Sequence, residues 1–173
     1  DVIRTAREAV NIASANNKIA PSEVTLAPVD VTKNVYWETP HEIDPFEVSI
    51  EYKADLLFRT NEAALSVPGV SFVSSGFSSV KEARLLATTD GSLIQQTLLR
   101  ISPSVNITAV SSDRSDFQSR GAVAEAASLG WEYVQGLDLP GNAPAWGEDA
   151  VMKLSAAPVD AGKWDLVLHP SNL

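Results

Sequence analysis

Between Val70 and Arg120 the apolar residues recur at every second position, and this period constrains the fold more than any other feature of the chain. Val70 to Phe77 is strand-like and serine-rich. Ala83 to Thr89 and Leu93 to Ile101 flank Asp90-Gly91, a dipeptide that tolerates left-handed backbone and so signals a hairpin. Pro103 lacks a backbone donor and is expected to break the third strand. Val105, Ile107 and Ala109 alternate with Asn106, Thr108 and Val110 in a fourth, and a turn near Asp113-Arg114 feeds a fifth, Phe117 to Arg120. Short connections between consecutive strands predict an antiparallel β-meander of about four to five strands.

Helical patterns bracket this stretch. Together with the meander they predict an α+β domain in which the sheet packs with about two to three α-helices. The best specified helix start is Ile43-Asp44-Pro45-Phe46-Glu47-Val48. Asp44 suits an N-cap, Pro45 the first helical position, and Glu47 completes an Asp version of the capping box, with Ile43 stapled onto Val48. Phe46, Ile50, Ala54, Leu57, Ala64 and Leu65 then share one face of a helix running from Pro45 to about Ser66, with Pro68-Gly69 ending it. An earlier helix covers Val2 to about Ala15 and stops at Asn16-Asn17. Lys18 to Thr39 shows no sustained period; Val24 to Ala27 and Val31 to Trp37 are expected as short extended pieces. Gly121 to Gly130 is expected as a loop, Ala145 to Leu154 as the last helix, and Trp164 to Leu168 as a buried strand.

At 173 residues and 18.5 kDa the chain suits a single domain, residues 1–173, able to bury a real core. Its formal charge is -9 and its 13 Lys and Arg form no basic stripe, which argues against bulk nucleic-acid binding. It has no cysteine and no apolar run of membrane-spanning length. The helical pattern is already running at Val2 and the chain opens on Asp1, so both ends are expected to be cuts in a longer protein.

Few constellations carry chemistry. His41-Glu42 begins like a zinc-binding His-Glu-x-x-His, but Pro45 stands where the second His belongs. His169 is isolated, and capping already explains the carboxylates around Asp44. No Gly-x-Ser-x-Gly elbow and no phosphate-binding glycine loop is present. No catalytic residue and no metal ligand is therefore assigned, and no cofactor is expected in this segment. The contact candidates are Arg120, Gly121, Gly130, Trp131 and Tyr133, which border the glycine-bounded loop. If extended, Trp131 and Tyr133 share a face; Trp37 and Trp146 are expected as packing residues.

Glu42-Ile43-Asp44-Pro45-Phe46-Glu47-Val48 before a helix resembles the N-terminal domain of the TldD/PmbA family, zinc peptidases also labelled modulators of DNA gyrase. Asn61-Glu62-Ala63-Ala64 with Val67-Pro68-Gly69-Val70, then Thr88-Thr89-Asp90-Gly91-Ser92, Gly130-Trp131-Glu132-Tyr133 and Trp164 to Ser171 continue the likeness in order. The resemblance implies a non-catalytic N-terminal domain that assembles a dimer and guides unfolded peptides to a zinc site in a further domain. The family's His-Glu-x-x-x-His helix has no counterpart here, so none of its metal ligands carries over, and the segment alone is expected to hydrolyse no peptide. Zinc is expected in the full-length protein. The implied partners are a second copy or a TldE/PmbA-like subunit and an unfolded peptide, with neither nucleic acid nor membrane, in a bacterial or archaeal cytoplasm. The alternative is a non-catalytic interaction module that modulates a toxin–antitoxin component or DNA gyrase.

Overall fold

The computed structural model describes residues 1–19, 27–122 and 124–168. It divides into two compact units, Asp1–Val31 and Thr32–Leu173. The first carries α1 (Val2–Asn17), with the expected start and an Arg4–Glu8 pair at 2.9 Å one turn apart. Of the extended piece expected at Val24 to Ala27, only Ala27 lies within the described residues, and it has no regular structure.

The second unit is built on one long hairpin. β1 (Val35–Glu38) and α2 (Ile50–Leu65) lead to β2 (Val70–Ala87) and β3 (Leu93–Val110), each 18 residues long and paired antiparallel along their length. The segments expected as four strands are thus two. At the tip Gly91 N–H donates to the Thr88 carbonyl at 3.1 Å and Thr88 N–H to Ser92 at 3.0 Å. Gly91 takes φ 100°, while Asp90 stays out of the left-handed region, so the tip is a three-residue loop rather than a two-residue Asp-Gly turn.

Pro103 does not break the strand; it pairs with Phe77. Ile101 exchanges both backbone bonds with Ala127, and Val105 accepts from Ala122 at 2.8 Å, so odd-numbered β3 residues turn their backbone groups away from β2. The donor that Pro103 lacks would therefore point away from β2, between those two contacts. The hairpin ladder loses nothing.

The α+β class holds, but the sheet is mixed rather than an antiparallel meander. β1 lies parallel to β3, from Val35↔Ile94 to Glu38↔Thr97, and β4 (Phe117–Gly121) pairs antiparallel with β3 from Asn106 to Val110. A parallel neighbour needs a crossover, and the α2 segment supplies one between β1 and the hairpin. β3 is thus flanked by β2 on one side and by β1, Ala127, Ala122 and β4 in succession on the other.

α2 and α4 (Leu139–Lys153) cover one face of this sheet, with α3 (Trp131–Gly136) ahead of α4. The core between them holds Ala64, Ile101, Val105, Ile107, Trp131, Val134 and Leu139. α2 starts later than its sequence suggests. Ser49 is the cap, accepting from Tyr52 N–H at 3.2 Å, while Asp44 accepts from Phe46 N–H at 2.9 Å and closes a separate turn over Pro45 to Glu47. α4 starts earlier, because Asp138 caps Gly141 N–H and Pro140 stands in the first turn, where no donor is required. Pro144 lies inside the helix. The strand expected at Trp164 to Leu168 is absent: the segment pairs with nothing among the described residues, and Val167 is 96% exposed.

Candidate functional site

Trp131 and Glu132 open α3 rather than an extended segment, with Gly130 as the cap, and the block is locked to the loop ahead of α2. Glu132 accepts Gly130 N–H at 2.8 Å through one carboxylate oxygen and Ile43 N–H at 3.1 Å through the other, while Trp131 N–H donates to the Ile43 carbonyl at 2.8 Å. Burial pushes the Glu132 carboxyl up, but the N–H groups of Glu132 itself, Gly130, Ile43 and Glu42 outweigh it and hold the group below the ordinary carboxylate value. Gly130 is required by close approach: a Cβ there would collide with the Glu132 carboxylate and the Ile43 carbonyl and stand 2.9 Å from the His41 Cβ.

Trp131 is a core residue, 1% exposed. Its ring meets Phe77 of β2 edge-on at 4.9 Å and Tyr52 of α2 at 6.4 Å, and the Lys53 ammonium lies 5.6 Å from its centroid. The indole N–H has no hydrogen-bond partner among the described residues. Burial removes Trp131 from any surface on which a ligand would lie.

The remaining sequence candidates fall elsewhere. Arg120, on β4, pairs with Asp149 of α4 at 3.2 Å, and Gly121 is the exposed end of that strand. The half-buried Tyr133 donates its hydroxyl to the Glu125 carbonyl at 2.8 Å and so ties down the loop. Ala122 and Ala127 of that loop pair with β3 on the side away from β2. Trp37 is exposed on β1; Trp146 packs on the core as expected.

A different edge is free. β2 pairs only with β3, which leaves its other side unpaired among the described residues. Odd β3 residues face away from β2, so their odd-numbered partners face away from β3. From Val73 to Leu85 these positions present N–H and C=O groups to the open edge. A signal for one long edge strand was the absence of any Gly, Pro, Asn or Asp in Ser78 to Glu82, between the two segments read as separate strands. At mid-strand Lys81 donates to Asp44 at 2.7 Å. That bond, then the Phe46 N–H, holds Asp44 below its ordinary value, and Asp44 raises Lys81.

Among the described residues no three His, Cys, Asp or Glu side chains converge on a metal position. The Nδ1 of His41 is 2.8 Å from the Thr39 carbonyl oxygen, and His169 lies outside the described residues. The donors described do not fit a zinc ion. No described helix is long and apolar enough to cross a membrane.

The family model for the PmbA/TldA metallopeptidase central domain matches residues 43–157, well over half of the chain. The match opens at Ile43 and takes in α2, the hairpin, β4, α3 and α4. It describes a central domain, where the likeness in the sequence had suggested an N-terminal one. No curated protein sequence matches the chain.

Proposed function

Because the chain belongs to the PmbA/TldD metallopeptidase family, we propose that it serves the peptidase as a non-catalytic module, guiding unfolded peptides toward a zinc site elsewhere in the full-length protein and helping to assemble a dimer with a second copy or a PmbA-like subunit. One observation carries the reading: β2 is an 18-residue strand with an edge unpaired among the described residues. Soluble proteins usually cover or shorten such edges, and an extended peptide adds to one through its backbone with little demand on sequence. The proposed setting is a bacterial or archaeal cytoplasm.

Hydrogen exchange on the 173-residue protein, with and without an unstructured peptide, tests it. Added protection is expected at the odd-numbered amides from Val73 to Leu85. Protection confined to the helices overturns strand addition.

A further inference from the structure

α2 is apolar on two sides. Leu56, Thr60, Ala63 and Ala64 face the core. Ile50, Ala54, Phe58 and Leu65 recur at helical spacing on another side, where Ile50, Phe58 and Leu65 are 79, 66 and 48% exposed. Folding of this unit gives no reason for that second stripe.

Its position does. Asn61, which falls between Ile50 and Ala54 around the helix, accepts a hydrogen bond from the Ser75 hydroxyl of β2 at 2.7 Å. Thr60, on one side of Asn61 around the helix, is buried, and Phe58, on its other side, is exposed, which sets the Phe58 side toward the free edge of β2. A second tie fixes the direction, since Asp44, just ahead of α2, is bonded to Lys81. From Asn61 back to Ile50 the helix rises roughly 16 Å, about the length of strand from Ser75 to Val80. The stripe and the unpaired edge therefore run side by side and form the two walls of one trough.

Resting on the guiding role proposed above, the geometry points to a specific occupant: an extended polypeptide with apolar side chains at alternate positions and Lys or Arg between them. The row of N–H and C=O groups fits only a strand backbone. A strand added there turns every second side chain toward the helix, against Ile50, Phe58 and Leu65. Glu47, Glu51 and Glu62, exposed beside the stripe, make no ion pair or hydrogen bond through their side chains among the described residues. With a net charge of -9 they favour a cationic peptide over an acidic one.

Three labelled peptides of about ten residues, long enough to line the edge, test this on the 173-residue protein. One alternates Val and Lys, the second replaces each Val by Ser, and the third N-methylates alternate backbone amides of the first. The Val-Lys peptide is expected to bind, the Ser-Lys peptide about tenfold more weakly, and the N-methylated one not at all. Phe58→Ser and Leu65→Ser, at exposed positions, are expected to reduce Val-Lys binding to the Ser-Lys level with an unchanged circular dichroism spectrum. Equal binding of the first two peptides, with the third still excluded, overturns the apolar stripe and leaves strand addition standing. Equal binding of all three overturns the guiding role itself. No binding of the Val-Lys peptide overturns the proposal, and β2 protection that grows with protein concentration alone overturns it in favour of a second copy.

Discussion

The two halves of the β2–β3 hairpin share one register and one alternation yet end in different surroundings. Near the sheet base, Ile101, Val105 and Ile107 lie buried beneath α2 and α4. Toward the tip, Ala83, Leu85, Gln95 and Thr97 occupy the equivalent positions and line an open hollow with Tyr36. Alternation makes the strand; a helix overhead decides whether its apolar side is core or surface. The tip half is held by the ladder, the Gly91 loop and short pairing with β1, without a core of its own.

That contrast is most exposed to Trp131→Ala. Removing the ring that joins Phe77, Tyr52 and Lys53 should cost about 3–5 kcal/mol in urea melts; a loss under 1 kcal/mol would mean that the base half is not held by this core. Next, Gly130→Ala should cost about 1–3 kcal/mol, because the added methyl has to displace the Ile43 loop or the Glu132 carboxylate. Thermal melts would check it, and an unchanged midpoint would refute the close approach. Ser49→Ala should cost about 1 kcal/mol through loss of the cap, with Asp44→Ala costing less; the reverse order would return the helix start to Asp44. Leu85→Ser, in the bare half, should stay within about 0.5 kcal/mol, and a larger loss would reveal a cover over the tip.

The smallest effect belongs to the turn between β3 and β4. Ser111 and Ser115 donate to Asp113, and the Ser111 hydroxyl, then the Ser115 backbone and hydroxyl, lower its carboxyl from 3.8 to about 2. With the folded value depressed, the turn's contribution is complete above the ordinary value and fades as pH falls toward about 2. A carboxyl titration by NMR should show that low midpoint; an ordinary one would dissolve the turn network.

Local rules made much of this legible. The period of two announced the strands, Gly91 the tip, and the segment around Asp44 the approach to a helix. Competition between adjacent signals was harder to judge. Asp44 and Ser49 are both good caps, and the choice depends on Lys81, distant in sequence, which binds Asp44. Pro103 looked like a breaker because its missing donor falls on the side away from β2, between the contacts of Ile101 with Ala127 and Val105 with Ala122, and that placement is set by tertiary pairing. Parallel pairing of β1 leaves no local mark. The contact candidates erred for a related reason: an aromatic beside a variable loop looks the same in sequence whether it faces a ligand or the core, and only Ile43 and Phe77 decide for Trp131.

The Glu132 clasp has a kinetic consequence. Its bond to Ile43 spans 89 residues, and the Thr39 hydroxyl reaches the Leu99 amide across 60, whereas the hairpin grows from a local turn. Contacts so far apart in sequence close slowly. The expected order is hairpin first, with β1 and the Ile43 loop seated last, so pulse-labelled hydrogen exchange during refolding should find Arg100, whose amide faces Val80 of β2, protected before Ile43 and Leu99. Simultaneous protection would instead mean that the clasp belongs to the folding nucleus.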